Sequence, residues 1–181
     1  MLVHVQDEKM SHDVLDMIDR AYNDDYFKNA FSNEYVPGQG LREEVTTGIV
    51  ASTDKEGNIV GCFIYSHYIF VNKVTGITAF NFKKRPSITY AKDIEAFCSF
   101  LFDTLKAHKV NWCANVGSAT EKLQDKIAKK YHGRIIGVYK DDAAAADGKI
   151  YDVKEYEIMR ADYLKFVEER EEKKNVRNHQ G

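Results

Sequence analysis

The chain reads as an α/β protein built on one central mixed, mostly antiparallel sheet of about seven strands flanked by helices. Three observations predict it. β-rich runs recur along the chain, and residues 59–71 are especially dense in Ile, Val, Tyr and Phe. Residues 48–82 hold three such runs parted only by short breaks, the pattern of a meander. An amphipathic helical stretch then separates that meander from a further strand at residues 110–116.

Residues 1–5 alternate and give a first short strand. Ser11 is placed as the N-cap of a helix whose apolar face carries Val14, Leu15, Ile18, Ala21 and Tyr22. Residues 23–32 are aromatic and acidic and fit either a second helix or an irregular lid. Pro37, Gly38 and Gly40 break the chain, and residues 41–47 fit another short helical piece. Residues 48–52 and 59–71 form a hairpin about the turn at 54–58, where Gly57 suits positive φ. Residues 74–82 complete the meander.

In the helix at residues 89–108, Ile94, Phe97, Cys98, Leu101, Phe102 and Leu105 form a stripe at helical spacing, which is core rather than a ligand box. After the strand at 110–116, Ser118 caps a helix reaching residue 130, with Glu121 in capping-box spacing. Residues 134–140 and 149–160 are two closing strands around a polar, small-residue tip whose aspartates lack calcium-loop spacing. Residues 161–177 make a charged helix with a thin seam of Tyr163, Leu164, Phe166 and Val167. The expected organisation is one domain over residues 1–160 and a charged helix and tail over 161–181.

Composition narrows the function classes. At 181 residues and 44% hydrophobic content the chain can bury a core without staples. Its net charge of -2 argues against a general nucleic-acid coat, although it leaves room for a local basic site. The three cysteines, Cys62, Cys98 and Cys113, lie in apolar segments without close pairing, so buried thiols are expected, and neither a disulfide framework nor a metal site. No apolar stretch is long enough to span a bilayer and no signal core opens the chain, so a cytoplasmic setting is the default expectation.

The stretch with most chemistry in it joins the meander to the helix: Lys83, Lys84, Arg85, Pro86, Ser87, Ile88 and Thr89. A helix N-terminus offers free N–H groups and partial positive charge. Three cations beside it fit an anion site, a phosphate-bearing ligand above all, although cations at a helix mouth are also common as solvated surface.

Strand, helices, meander, helix, strand, helix and a closing strand pair, in that order, resemble the Gcn5-related N-acetyltransferase (GNAT) superfamily, best over residues 48–160. Two local patterns add to the resemblance: the turn Asp54-Lys55-Glu56-Gly57-Asn58 leading into Ile59-Val60-Gly61, and the glycine-flanked run Gly133-Arg134-Ile135-Ile136-Gly137-Val138. The resemblance implies acetyl-CoA as cofactor, with its pyrophosphate at the turn that follows the fourth strand. Lys84 then stands at the family's leading Gln/Arg, Ser87 at its first Gly and Thr89 at its final Gly/Ala. The implied cofactor-binding residues are Asn81, Phe82, Lys83, Lys84, Arg85, Ser87, Ile88, Thr89 and Asn115. Ser87 and Thr89 depart from the glycines, Pro86 removes one donor, and Lys129 occupies the position of the tyrosine acid found in many relatives.

The implied reaction is direct attack of an amine, on a small molecule or a protein, on the thioester. It needs a base for the amine proton and an acid for the leaving thiolate. An N–H near Asn81 or Phe82 would polarise the carbonyl. His67 and Tyr68 on the third strand, Glu34 and Tyr35 in the acceptor-side loop, and Tyr131 are the candidate proton carriers, with His67, Glu34 and Tyr131 put first, and the sequence does not choose among them. A catalytically inactive GNAT-fold binding or structural module is the alternative. Nucleic-acid binding through Lys83–Arg85 and the aromatics of 65–70 is weaker, given the acidity. Acidic residues in 23–40 and 141–148 suit a cationic acceptor, and the third strand and final helix offer surfaces for a homodimer.

Overall fold

The computed structural model of the protein describes residues 2–4, 8–22, 45–69, 71–83, 88–145 and 148–178. Seven strands form one sheet in the order β1-β2-β3-β4-β5-β7-β6. They are β1 (Leu2–His4), β2 (Val45–Thr53), β3 (Ile59–Tyr68), β4 (Lys73–Asn81), β5 (Lys109–Asn115), β6 (Arg134–Ala144) and β7 (Ile150–Met159). The helices are α1 (Glu8–Tyr22), α2 (Ile88–Ser99), α3 (Glu121–Lys130) and α4 (Arg160–Asn178). Every neighbouring pair is antiparallel except β4 and β5, which are joined through α2 and run parallel.

The meander forms because β-branched and aromatic residues fill both faces of β2 and β3. On one face Ala51, Cys62, Ile64 and Phe80 meet Val14, Ile18 and Ala21 of α1. On the other, Val50, Phe63 and Tyr65 join Tyr90, Phe97 and Cys98 of α2 in the main core. Phe63 is sandwiched there, its ring centroid 5.4 Å from Tyr90 and 4.6 Å from Phe97. The same core continues under α3 and α4 through Trp112, Ala128, Tyr131, Tyr156 and Tyr163.

Several boundaries differ from expectation. α1 opens at Glu8, so Ser11 lies within it rather than capping it. Residues 45–47 extend β2 and are not helical. Their partners Tyr68, His67 and Ser66 on β3 supply ladder bonds that local propensity does not register. α2 passes at Phe100 into a π-helical turn ending at Thr104. That turn keeps Leu101 and Phe102 buried, and Phe102 stacks on Tyr163 of α4 at 4.6 Å. α3 begins at Glu121 with Thr120 before it, so Ser118 does not cap it. The Glu121 carboxylate instead accepts the Gly117 N–H at 2.8 Å, one residue before Ser118.

β6 runs on to Ala144 through a bulge between Tyr139 and Ala143, with Asp141 at φ 51°. Cys62 and Cys98 are buried as expected, but Cys113 is exposed, because strand alternation turns it away from the core residues Trp112 and Ala114. No helix among the described residues is long and apolar enough to cross a membrane.

Candidate functional site

β4 and β5 pair at only two positions, Lys73 with Lys109 and Val74 with Val110. The cause lies on the other edge of β4. β3 pairs Ile64 with Thr78 but Ser66 with Thr75, so Gly76 and Ile77 together face Tyr65. Gly76 adopts φ +60°, a conformation that disfavours residues with a Cβ. This bulge bends β4 away from β5 just after their last shared pair. The strands then part, leaving an opening between residues 75–81 of β4 and 111–115 of β5.

The register shows which backbone groups face the opening. The Phe82 N–H donates to the Val60 carbonyl at 3.0 Å. Antiparallel alternation then makes Phe80–Cys62 the next hydrogen-bonded pair. The N–H and C=O groups of Ala79 and Asn81 therefore point away from β3, toward the opening. Of the two residues expected to polarise a ligand carbonyl, Asn81 has its backbone so placed and Phe82 does not, since β3 already takes the Phe82 N–H.

Because β4 and β5 are parallel, Asn81 and Asn115 come to the same end of the opening, and the chain leads from there into α2 and α3. Asn81 Oδ1 accepts the Lys83 N–H at 3.1 Å, and the exposed Lys83 Nζ lies 3.9 Å from Asp54. Asn115 is buried, and its carbonyl accepts the Ser118 N–H at 3.1 Å. Ile88 and Thr89 open α2. Lys84, Arg85 and Ser87 lie outside the described residues, as does Glu34.

The expected proton carriers are scattered. His67 stands near the closed end of the split, opposite Val74. Asn81, opposite Gly61, is seven residues further along β4, about 23 Å at strand rise. The His67 Nε2 bonds Asn72 Oδ1 at 2.9 Å, and Asn72 in turn donates to the Lys106 carbonyl at 2.6 Å. Tyr131, at the end of α3, is buried with its ring edge-on to Phe166 at 4.7 Å. Burial raises its hydroxyl well above the ordinary tyrosine value, helped by Cys98 and Glu95. The hydroxyl and the Cys98 thiol share a hydrogen bond.

β5 carries a second set of polar groups that sequence reasoning passed over. Val110, Trp112 and Ala114 face the main core, so Asn111 and Cys113 face the other side. Asn111 is 2% exposed. Its Nδ2 donates to Glu155 Oε1 of β7 at 3.4 Å, and the Tyr139 hydroxyl of β6 donates to Glu155 Oε2 at 2.9 Å. Next to them the buried Glu157 bridges Lys109 and Arg134. Burial alone would raise the Glu157 carboxyl, but the hydrogen bonds from those two cations outweigh it and hold the group below its ordinary value. The sequence signal was available: polar residues alternate with Val, Trp and Ala along an otherwise apolar strand.

No protein-family model matches the chain, and no curated protein matches it in sequence. Solved structures do. Spermidine N-acetyltransferase from Vibrio cholerae, in complex with CoA and spermine, superposes with a TM-score of 0.66 at 12% identity, covering 91% of this chain and 97% of that one. A candidate acetyltransferase from T. thermophilus gives 0.62 at 14% identity, covering 89% and 88%. Another candidate acetyltransferase gives 0.56 at 15%, and there the match spans 72% of this chain and 64% of that protein's length. At such identities the likeness is one of fold, and it agrees with the parted parallel strands: this chain has the fold of the Gcn5-related N-acetyltransferases.

Proposed function

We propose that the chain is an acetyl-CoA-dependent N-acetyltransferase whose acceptor is a primary amine, on a small molecule or a protein. The observation that carries this reading is the opening between β4 and β5, with the backbone of Ala79 and Asn81 turned into it and α2 starting at its mouth. Strand-edge N–H and C=O groups suit the amide-bearing arm of coenzyme A, which can bond to them as an added strand would. Lys83, Lys84 and Arg85, with Ser87, Ile88 and Thr89 at the helix mouth, are the groups for its phosphates. Asn115 approaches from β5. When bound, acetyl-CoA supplies the thioester that the amine attacks. The chain's part is to orient that group, to polarise its carbonyl through an N–H on the edge of β4 that faces the opening, and to move two protons. Glu34, His67 and Tyr131 remain the proposed carriers.

The acceptor class follows from charge. Residues 23–40 and 141–148 are acidic, which suits a cationic amine, and a neighbour of the same fold is bound to spermine. Calorimetric titration with acetyl-CoA and with CoA tests the reading. Micromolar binding is expected, and replacing Lys83, Lys84 and Arg85 together by Ala should abolish it while the melting temperature holds. Unchanged affinity in that variant would overturn the phosphate assignment. No binding at millimolar ligand would favour the second reading, an inactive binding module. Ser87 and Thr89 in place of glycines, and Lys129 in place of the tyrosine, are the features that support it.

A further inference from the structure

We propose that Asn111 receives the acceptor amine, its Oδ1 taking an N–H from a primary ammonium or amine lodged in the opening. This rests on the N-acetyltransferase reading and gives its acceptor side a specific residue.

Asn111 is the first residue of β5 beyond the last β4–β5 pair, Val74–Val110, so it stands where the two strands begin to part. It is almost fully buried, and its Oδ1 has no hydrogen-bond partner among the described residues. A buried acceptor left unpaired costs stability, so such an atom points to a donor that arrives with a ligand. The orientation of the amide is fixed. Glu155, as a carboxylate, can only accept, so the Asn111 NH₂ must face it, and the oxygen must face elsewhere. Glu155 is itself held from its far side by the Tyr139 hydroxyl.

The charges around the site select the donor. Glu155 stands one hydrogen bond behind the amide, and the nearby cations Lys109 and Arg134 are both bonded to Glu157. A carbonyl-type oxygen backed by a carboxylate favours a compact cationic nitrogen.

The test compares wild type with Asn111→Leu, a change of similar size that removes the acceptor. Removing the unpaired Oδ1 favours the fold while losing the 3.4 Å bond to Glu155 opposes it, so the melting temperature should change little. Acetyl transfer to spermine should show KM raised at least about tenfold, with CoA affinity within about twofold and kcat less affected. A melting temperature several degrees lower would mark Asn111 as structural and overturn the proposal. Unchanged KM for spermine would also overturn it, and loss of CoA affinity instead would assign the atom to the cofactor. If wild type binds no CoA, the transfer reading fails by itself. Direct titration of both proteins with spermine then decides Asn111, since equal or absent binding rules it out.

Discussion

The two halves of the sheet are built differently. In the first half, β1 to β4, the strands β2, β3 and β4 are covered on both faces. α1 lays Val14, Ile18 and Ala21 on one side, and α2 stacks Tyr90 and Phe97 about Phe63 on the other. In the second half, β5, β7 and β6, one face packs under α3 and α4. The other presents Lys109, Asn111, Glu155, Glu157, Arg134 and Tyr139, joined by hydrogen bonds and ion pairs. The first half holds a shape and the second offers polar groups. The opening lies at their seam, where Gly76 parts β4 from β5. A site at such a seam takes rigidity from one side and hydrogen-bonding chemistry from the other.

Three substitutions probe this contrast, from the largest effect down. Phe63→Ala removes a ring stacked on two others in a closed core and should cost about 3–5 kcal/mol in chemical denaturation. A loss below about 2 kcal/mol would mean the first half is softer than its packing implies. Glu157→Gln should cost about 1–3 kcal/mol, because the carboxylate is buried while both cations keep access to water. It should also change the acid limb of stability. The native carboxyl is held below its ordinary value of 4.5, so its contribution is complete above that pH and is lost as pH falls through the lower native value. Melting curves from pH 7 to pH 3 should therefore be flatter for the variant, and parallel curves would remove Glu157 from the account. Tyr131→Phe should cost only about 1 kcal/mol, for the hydroxyl shared with Cys98. If Tyr131 instead delivers the proton to the leaving thiolate, turnover should fall by about a hundredfold or more.

Much of the fold was legible because its signals are local. The meander, the stripe from Ile94 to Leu105 and the closing strand pair all follow from residue periodicity. What escaped depends on neighbours. Residues 45–47 looked helical until β3 offered them partners, and Ala143 and Ala144 looked like a loop until they paired with Tyr151 and Ile150. For the site, the cations after β4 were readable as a candidate anion site, which the CoA titration tests. The split itself was not, since it arises from a two-for-one pairing at Gly76 and Ile77 against Tyr65. Asn111 escaped for a similar reason: its isolation depends on β4 leaving its side and on Glu155 arriving from residues far along the chain.

β6 ends the strand order, and Ile135, Ile136, Val138 and Tyr139 stand exposed along it. A flat apolar edge of that kind is a template on which other chains can grow. Here the template is cut short. The left-handed Asp141, tied through its N–H to the Asp152 carboxylate at 3.0 Å, twists the strand just past Lys140 and puts two acids, Asp141 and Asp142, where a growing ribbon would need flat, neutral backbone. The same kink interrupts regular pairing with β7 and shortens the flat edge on which another strand could add.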